Sequence, residues 1–331
     1  MEAFDLLRPK TTKDALLLLA GENPPIIKAG GVDLLDRMKE GIDRPTRLLD
    51  LLPLADLRGI EEKDGVLRIG ALATLAEVAK SPLVREKARA LAEAAEDAAT
   101  PQVRAQATVG GNLHQHVRCW YYRSADFEPC IMRGGAGCPA KEGRNKIHAV
   151  FDTDADCVAV DPSNLAPALE ALGGKYTIAG ASSTGSGGGV VDVLDVHGRN
   201  TAGKSTFVPK TLLTGIHVPL SPARRSAYRE MGERESFDWA LASCAVSFVW
   251  KDGVCSDARI VLGAVSLKVR RCPEAEKLLE GQKLTPKLAE QAAAKALEGA
   301  KPLAENGFKV PVARALVKRA LLAAAGLEAT K

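Results

Sequence analysis

Four of the chain's seven cysteines, Cys119, Cys130, Cys138 and Cys157, follow the pattern C-x10-C-x7-C-x18-C, and three of them crowd into the stretch CWYYRSADFEPCIMRGGAGC. Four thiolates hold zinc tetrahedrally or ligate an iron-sulfur cluster. Spacing does not choose between the two, because the C-x2-C hairpins usual in zinc ribbons and bacterial ferredoxins are both absent. Gly134, Gly135 and Gly137 let the backbone fold tightly and offer N–H donors to sulfides, which favours the cluster. Cys244, Cys255 and Cys272 lie in or beside strand-like stretches and read as small apolar fillers. His114 and His116 alternate in a polar stretch and read as exposed, at most supporting a metal ligand from behind.

Two double-glycine turns are the second chemical feature, AGGVDLL at 29–35 and TVGGNL at 108–113. Each offers consecutive backbone N–H groups with no side chain in the way, the arrangement that cradles phosphate oxygens. Either alone is more often an ordinary tight turn; together they are more suggestive of a phosphate-bearing ligand. GRNTAGKS at 198–205 matches the phosphate loop G-x-x-x-x-G-K-S. A phosphate loop needs a helix starting at Lys204, and Phe207, Val208 and Pro209 follow too soon for one.

The elements that must position these groups begin as β, α, β, α, β. Phe4–Leu7 is a short strand, Thr11, Thr12 and Asp14 cap a helix over ALLLLA, IIKAGG is a strand leading into the helix GVDLLDRMKEG, and RPTRLLDL is a strand. VLRIGA continues as strand, TLAEV opens with a Thr-to-Glu capping box, and SPLVREKARALAEAAEDAA reads as one helix with Pro82 near its start. From Thr100 to about Gly203 the chain turns loop-rich, with strands at CVAV and KYTIAG and a surface turn at STGSGGG. TLLTGIHVPL is a further strand. Beyond the hinge-like SPARR, two strands flank KDG and three helices follow, PEAEKLLEG, LTPKLAEQAAAKALEGA and VPVARALVKRALLAAAGL.

At 331 residues and 46% apolar composition the chain exceeds one core and divides into two or three domains. Its charge of +4 is spread out, with no basic block for nucleic acid. The N-terminus lacks a secretory signal and no stretch reaches a transmembrane span, so a cytoplasmic protein without membrane contact is expected.

AGGVDLL, TVGGNL, RCWYYR with PC and GAGC, DPSNLAPAL and RESFDWALASCAV, in that order, resemble the FAD-binding medium subunit of the xanthine dehydrogenase family of molybdenum hydroxylases. The cysteine-bearing insertion is similar to that of the flavoprotein subunits of 4-hydroxybenzoyl-CoA reductase and periplasmic-type aldehyde oxidoreductase, which carry a 4Fe-4S cluster. The resemblance implies a mixed α+β fold: a two-lobed FAD-binding domain of the PCMH type (1–55 and 56–220, the cluster loop at about 114–158) and a CO-dehydrogenase-flavoprotein-like C-terminal domain (221–331). It implies FAD contacts for Ile27, Lys28, Ala29, Gly30, Gly31, Val32, Asp33, Leu34, Thr108, Gly111, Asn112, Gln115, Arg118 and Asn164, and cluster ligation by Cys119, Cys130, Cys138 and Cys157.

Departures from the family pattern are Val32 for Thr, Asp161 for His, Asn164 for Asp and Glu230 for a Lys that reaches the cofactor. The implied role is electron transfer between FAD, the cluster, and partner subunits carrying molybdopterin and 2Fe-2S centres, with no proton-transfer residue in this chain. Export with a signal-bearing partner is compatible with that role. Trp120, Tyr121 and Tyr122 are expected to pack the cysteine loop. The alternative is a zinc-stabilised scaffolding subunit whose flavin site has decayed.

Overall fold

The computed structural model describes residues 1–180, 188–203, 205–207, 210–235 and 237–327. Three sheets organise them. The first is parallel, with β1 (Asp5–Leu7), β2 (Ile26–Lys28) and β3 (Arg47–Asp50) in the order β1-β3-β2. Its centre, β3, buries the consecutive Leu48 and Leu49, as a strand covered on both faces must. The helix Thr12–Ala20 starts in a capping box between Thr11 and Asp14, and the helix Val32–Lys39 starts from Gly31.

The second sheet is antiparallel. It comprises β4 (Ile60–Lys63), β5 (Val66–Gly70), β6 (Lys175–Gly180), β7 (Gly188–Asp192) and β8 (Thr211–Pro219) in the order β4-β5-β8-β6-β7. The third, also antiparallel, holds β9 (Arg224–Met231), β10 (Ala242–Lys251), β11 (Val254–Gly263) and β12 (Arg270–Arg271) in the order β12-β11-β10-β9. The helices Pro273–Leu279, Pro286–Ala296 and Lys309–Ala325 share a core with this sheet, their buried alanines allowing close approach. The helix Leu165–Ala171 is buried on every side, in a core that draws on the second sheet and on Tyr228, Ala245 and Val261 of the third.

Three expectations need correction. The long helix after Ser81 is two, Pro82–Lys87 and Arg89–Asp97, because Ala88 leaves helical geometry at φ −140, ψ 52. That bend brings the amide of Ala90 to Ser226 Oγ of β9 at 3.1 Å, so a tertiary bond replaces an intrahelical one. CVAV is extended but pairs in no ladder: the Cys157 amide donates to Thr201 O, while Val158 O accepts from the Ala149 amide. TVGGNL opens the helix Val109–His114, capped by Thr108, whose Oγ1 accepts from the Gly111 amide at 3.1 Å.

The helix Pro101–Gln106 and strand β4 carried no strong sequence signal. In the phosphate-loop match, Lys204, Val208 and Pro209 lie outside the described residues. Arg199 and Ser205 form an isolated bridge, and the next element is β8, so among the described residues no helix follows the motif. Residues 183–187 of STGSGGG also lie outside the description, and Gly188 and Gly189 begin β7.

Candidate functional site

A cavity of about 500 Å³ lies where the first two sheets and the segment 237–239 meet, in the size range of small-molecule and cofactor sites. All fourteen residues expected at a dinucleotide site line it: Ile27, Lys28, Ala29, Gly30, Gly31, Val32, Asp33, Leu34, Thr108, Gly111, Asn112, Gln115, Arg118 and Asn164. The two glycine turns, far apart in sequence, form one wall. Gly30 packs so closely on the end of the helix Pro101–Gln106 that a Cβ would lie 2.1 Å from the carbonyl oxygen of Gln106. Gly31 has φ +80, a conformation that favours glycine, and begins the helix Val32–Lys39. The first amides of that helix have no intrahelical acceptor, which leaves them for a ligand.

Asp33 is the electrostatic centre of this wall. Its carboxylate meets Arg123 at 2.5 Å, Arg118 at 3.1 Å and Arg37 at 3.4 Å, and accepts from the amide of His116 at 3.0 Å. Burial pushes its pKa up, but Arg118, Arg123 and Arg37 together outweigh burial and hold it at about 2. Arg118 also donates to Gln115 Oε1 at 2.8 Å and lies 4.5 Å over the ring of Trp239. Gln115 in turn donates to the carbonyls of Asn112 and Pro162.

On the far wall Asn112 Oδ1 accepts from Ser163 Oγ at 2.7 Å and from the Leu165 amide at 3.3 Å, fixing the turn that carries Asn164. Asp161 supports the same turn through the Ser163 amide and is paired with His197 at 3.0 Å. Glu230 accepts from Asn164 Nδ2 at 2.7 Å and from the Tyr228 hydroxyl at 2.6 Å. Burial raises the Glu230 carboxyl to about 7. His114 and His116 are half-buried instead of exposed. His114 Nδ1 lies 2.9 Å from Gly110 O and its ring meets Phe207 edge-on. Desolvation lowers the two to about 4 and about 2, so both are neutral.

A second cavity of about 250 Å³ shares Arg118, Asn164, Asp238 and Trp239 with the first and reaches Cys119, Trp120 and His148. Behind it the four expected thiols come together in one apolar cluster with Val117, Tyr121, Tyr122 and Ala159. Cys119, Cys130 and Cys157 are buried and Cys138 is partly exposed. Nearby backbone amides favour the ionised form of three of the sulfurs, those of Tyr121 and Tyr122 for Cys119, of Ala140 and Val158 for Cys138, and of Ala159 for Cys157.

His148 Nε2 lies 3.1 Å from Cys119 Sγ. Burial pushes Cys119 up to about 12, whereas a hydrogen bond from Cys157 holds Cys138 down at about 6 and raises Cys157 in turn. Among the described residues no group of three or more His, Cys, Asp or Glu side chains closes on a single metal ion. The aromatic run packs this loop, as expected: Tyr121 against Phe127 at 4.9 Å, Tyr122 against His116, and Trp120 Nε1 donating to Arg144 O.

Phe237 and Trp239 complete the mouth of the larger cavity. Sequence reading assigned them nothing, although RESFDWALASCAV marked their segment. The arrangement can hold a long, anionic, partly apolar ligand beside a quartet of sulfurs.

Residues 2–221 match the family described as FAD binding domain in molybdopterin dehydrogenase, and residues 226–324 match the CO dehydrogenase flavoprotein C-terminal domain. The chain is 33% identical to the aldehyde oxidoreductase FAD-binding subunit PaoB of Escherichia coli (strain K12), over 95% of this chain and 96% of that protein. It is 29% identical to the carbon monoxide dehydrogenase medium chain of Afipia carboxidovorans, over 96% of each. Among solved structures, the carbon monoxide dehydrogenase of Hydrogenophaga pseudoflava that lacks the Mo-pyranopterin moiety superposes with a TM-score of 0.77 at 25% identity, covering 99% of each chain.

Proposed function

The chain belongs to the FAD-binding family of molybdopterin dehydrogenases, and from that premise we propose that it is the electron-transfer subunit of a heteromeric molybdenum hydroxylase. It is an oxidoreductase subunit with the family's α+β fold, and it binds FAD. The observation that carries the reading is the single cavity walled by both glycine turns. Gly30 admits no side chain there, Gly31 starts a helix whose free amides suit a pyrophosphate, and the volume suits a cofactor.

Bound FAD supplies reversible one- and two-electron chemistry. The residues of this chain would orient it: the free amides of residues 32–34 would take the phosphates, while those of 109–111 are already bonded to Ala73, Ala71 and Thr108 and shape the opposite turn; Arg118 would offer a cation and Asn164 a polar contact. Partners of the chemistry proposed are a molybdopterin-binding large subunit and a 2Fe-2S small subunit, where the organic substrate is turned over.

The finer reading is that Cys119, Cys130, Cys138 and Cys157 hold a 4Fe-4S cluster. Its support is the convergence of Cys157 with the three thiols of the stretch 119–138, with nearby backbone amides that favour the ionised sulfurs. Such donors stabilise thiolate and sulfide charge and tune cluster potentials. The test is the visible absorption spectrum of anaerobically purified protein before and after dithionite, with iron and acid-labile sulfide assays. Flavin bands and a broad iron-sulfur shoulder, both bleached on reduction, are expected. Zinc without iron overturns the cluster, and absence of flavin from protein incubated with FAD overturns the cofactor site.

A further inference from the structure

Asn164 occupies the cap position of the helix Leu165–Ala171, where an asparagine side chain ordinarily turns back to bond a first-turn amide. It makes no such bond. Ser163 Oγ accepts from the Ala166 amide at 3.1 Å, and Asn164 is drawn outward to Glu230 at 2.7 Å. The same Glu230 oxygen accepts from the Tyr228 hydroxyl at 2.6 Å. Tyr228 and Glu230 are two apart on β9 and share a face of the sheet, and Tyr228 is itself buried, so the carboxylate is held from one side and holds Asn164 from the other.

An ionised or singly protonated carboxyl oxygen that receives two donors fixes which end of the amide it meets. One N–H of the Asn164 amide is committed to Glu230, which fixes the orientation of the group and leaves its carbonyl oxygen, beside the second N–H, for the cavities it lines. We propose that Glu230 is a positioning residue that fixes the Asn164 amide so that its oxygen accepts a hydrogen bond from an imide-type N–H of the bound cofactor. The inference rests on the FAD reading of the cavity. It gives Glu230 a specific task at a position where a cation reaching the cofactor was the expectation. Neutralisation near pH 7 is compatible with that task, since a protonated Glu230 keeps the same oxygen as acceptor.

The test is FAD titration into the deflavinated full-length protein, read by quenching of flavin fluorescence and by the absorption spectrum of the bound flavin. Glu230→Ala is expected to raise the Kd about ten-fold and to shift the flavin bands, the size of effect that one misplaced hydrogen bond produces. Glu230→Gln, whose carbonyl still accepts from Asn164 and Tyr228, is expected to restore wild-type binding and spectrum. Glu230→Met provides a size-matched variant should the alanine protein fail to fold. Asn164→Ala is expected to weaken binding equally, and Glu230→Ala/Asn164→Ala to be no weaker than Asn164→Ala alone, since one residue acts through the other.

Additive losses in the double variant, or unchanged binding and spectrum in both Glu230→Ala and Glu230→Met, overturn the inference while wild-type uptake of FAD leaves the cofactor reading intact. Wild-type protein that takes up no FAD overturns both.

Discussion

Asp33 serves the cavity through its backbone and the architecture through its carboxylate. Its pKa of about 2 lies below the ordinary 3.8, so the ionised form contributes stability that is fully present above about pH 4 and lost as pH falls through 2. A shift of that size corresponds to about 2 kcal/mol. Asp33→Asn should remove this acid-dependent part, which urea unfolding between pH 5 and 2 will register as a flatter profile than wild type. Gly30 offers a second residue-level prediction. A methyl group 2.1 Å from Gln106 O must force the first glycine turn away from the end of the helix Pro101–Gln106, so Gly30→Ala should lose about 1–3 kcal/mol and most of its FAD affinity. The glycines were legible in the sequence because backbone conformation and close approach leave a compositional mark. Arg118 was reached through the family resemblance, whereas Arg123 was not, since it lies 90 residues away and any basic residue reads alike until the fold selects it.

At the scale of elements, the cysteine loop is fastened to the turn ahead of the last helix, Lys309–Ala325. Asn145 and Glu305 exchange bonds of 2.7 and 2.9 Å, Asn306 donates to the carbonyls of His148 and Ala149, and the wholly buried Lys309 ammonium donates to the carbonyls of His148 and Ala264 at 2.7 Å. This clamp holds the backbone of His148, whose ring meets Cys119. Burial lowers Lys309 to about 7 from 10.5. Between those values the unfolded chain carries a proton that the folded chain has released, so Lys309 adds stability as pH rises from 7. The stability of wild type relative to Lys309→Met should therefore increase on the order of 2 kcal/mol from pH 7 to 9, measured by urea unfolding at both. Nothing in the sequence announced the clamp, because an isolated Lys in a helical pattern reads as surface. The strands and capped helices on either side were legible, since alternation and capping boxes are local. The break at Ala88 was not, because a bond to Ser226 in another sheet imposes it.

Across the whole molecule, the first two sheets and the segment between β9 and β10 meet round one ligand space, and the sulfur quartet stands behind it, separated by the second cavity. The cysteine loop is tied to the first sheet's helices through Arg123 and Asp33, to the segment ahead of β8 through Cys157 and Thr201, and to the last helix through Lys309. These ties use side chains and amides other than the four thiols, so the loop has mechanical support that does not depend on what the sulfurs bind. Cys130 lines neither the large cavity nor the one connecting it to Cys119. On the proposed cluster reading, removing its sulfur subtracts one ligand from the quartet and leaves every residue of the glycine-walled cavity in place. Cys130→Ser should therefore lose most of its iron and acid-labile sulfide while retaining FAD at the wild-type ratio, determined on the same preparation by metal analysis and by the absorbance of released flavin. Iron at the wild-type level would remove Cys130 from the ligand set. Loss of flavin in step with iron would mean that the loop takes its shape from the inorganic centre after all, and that the two sites fold as one.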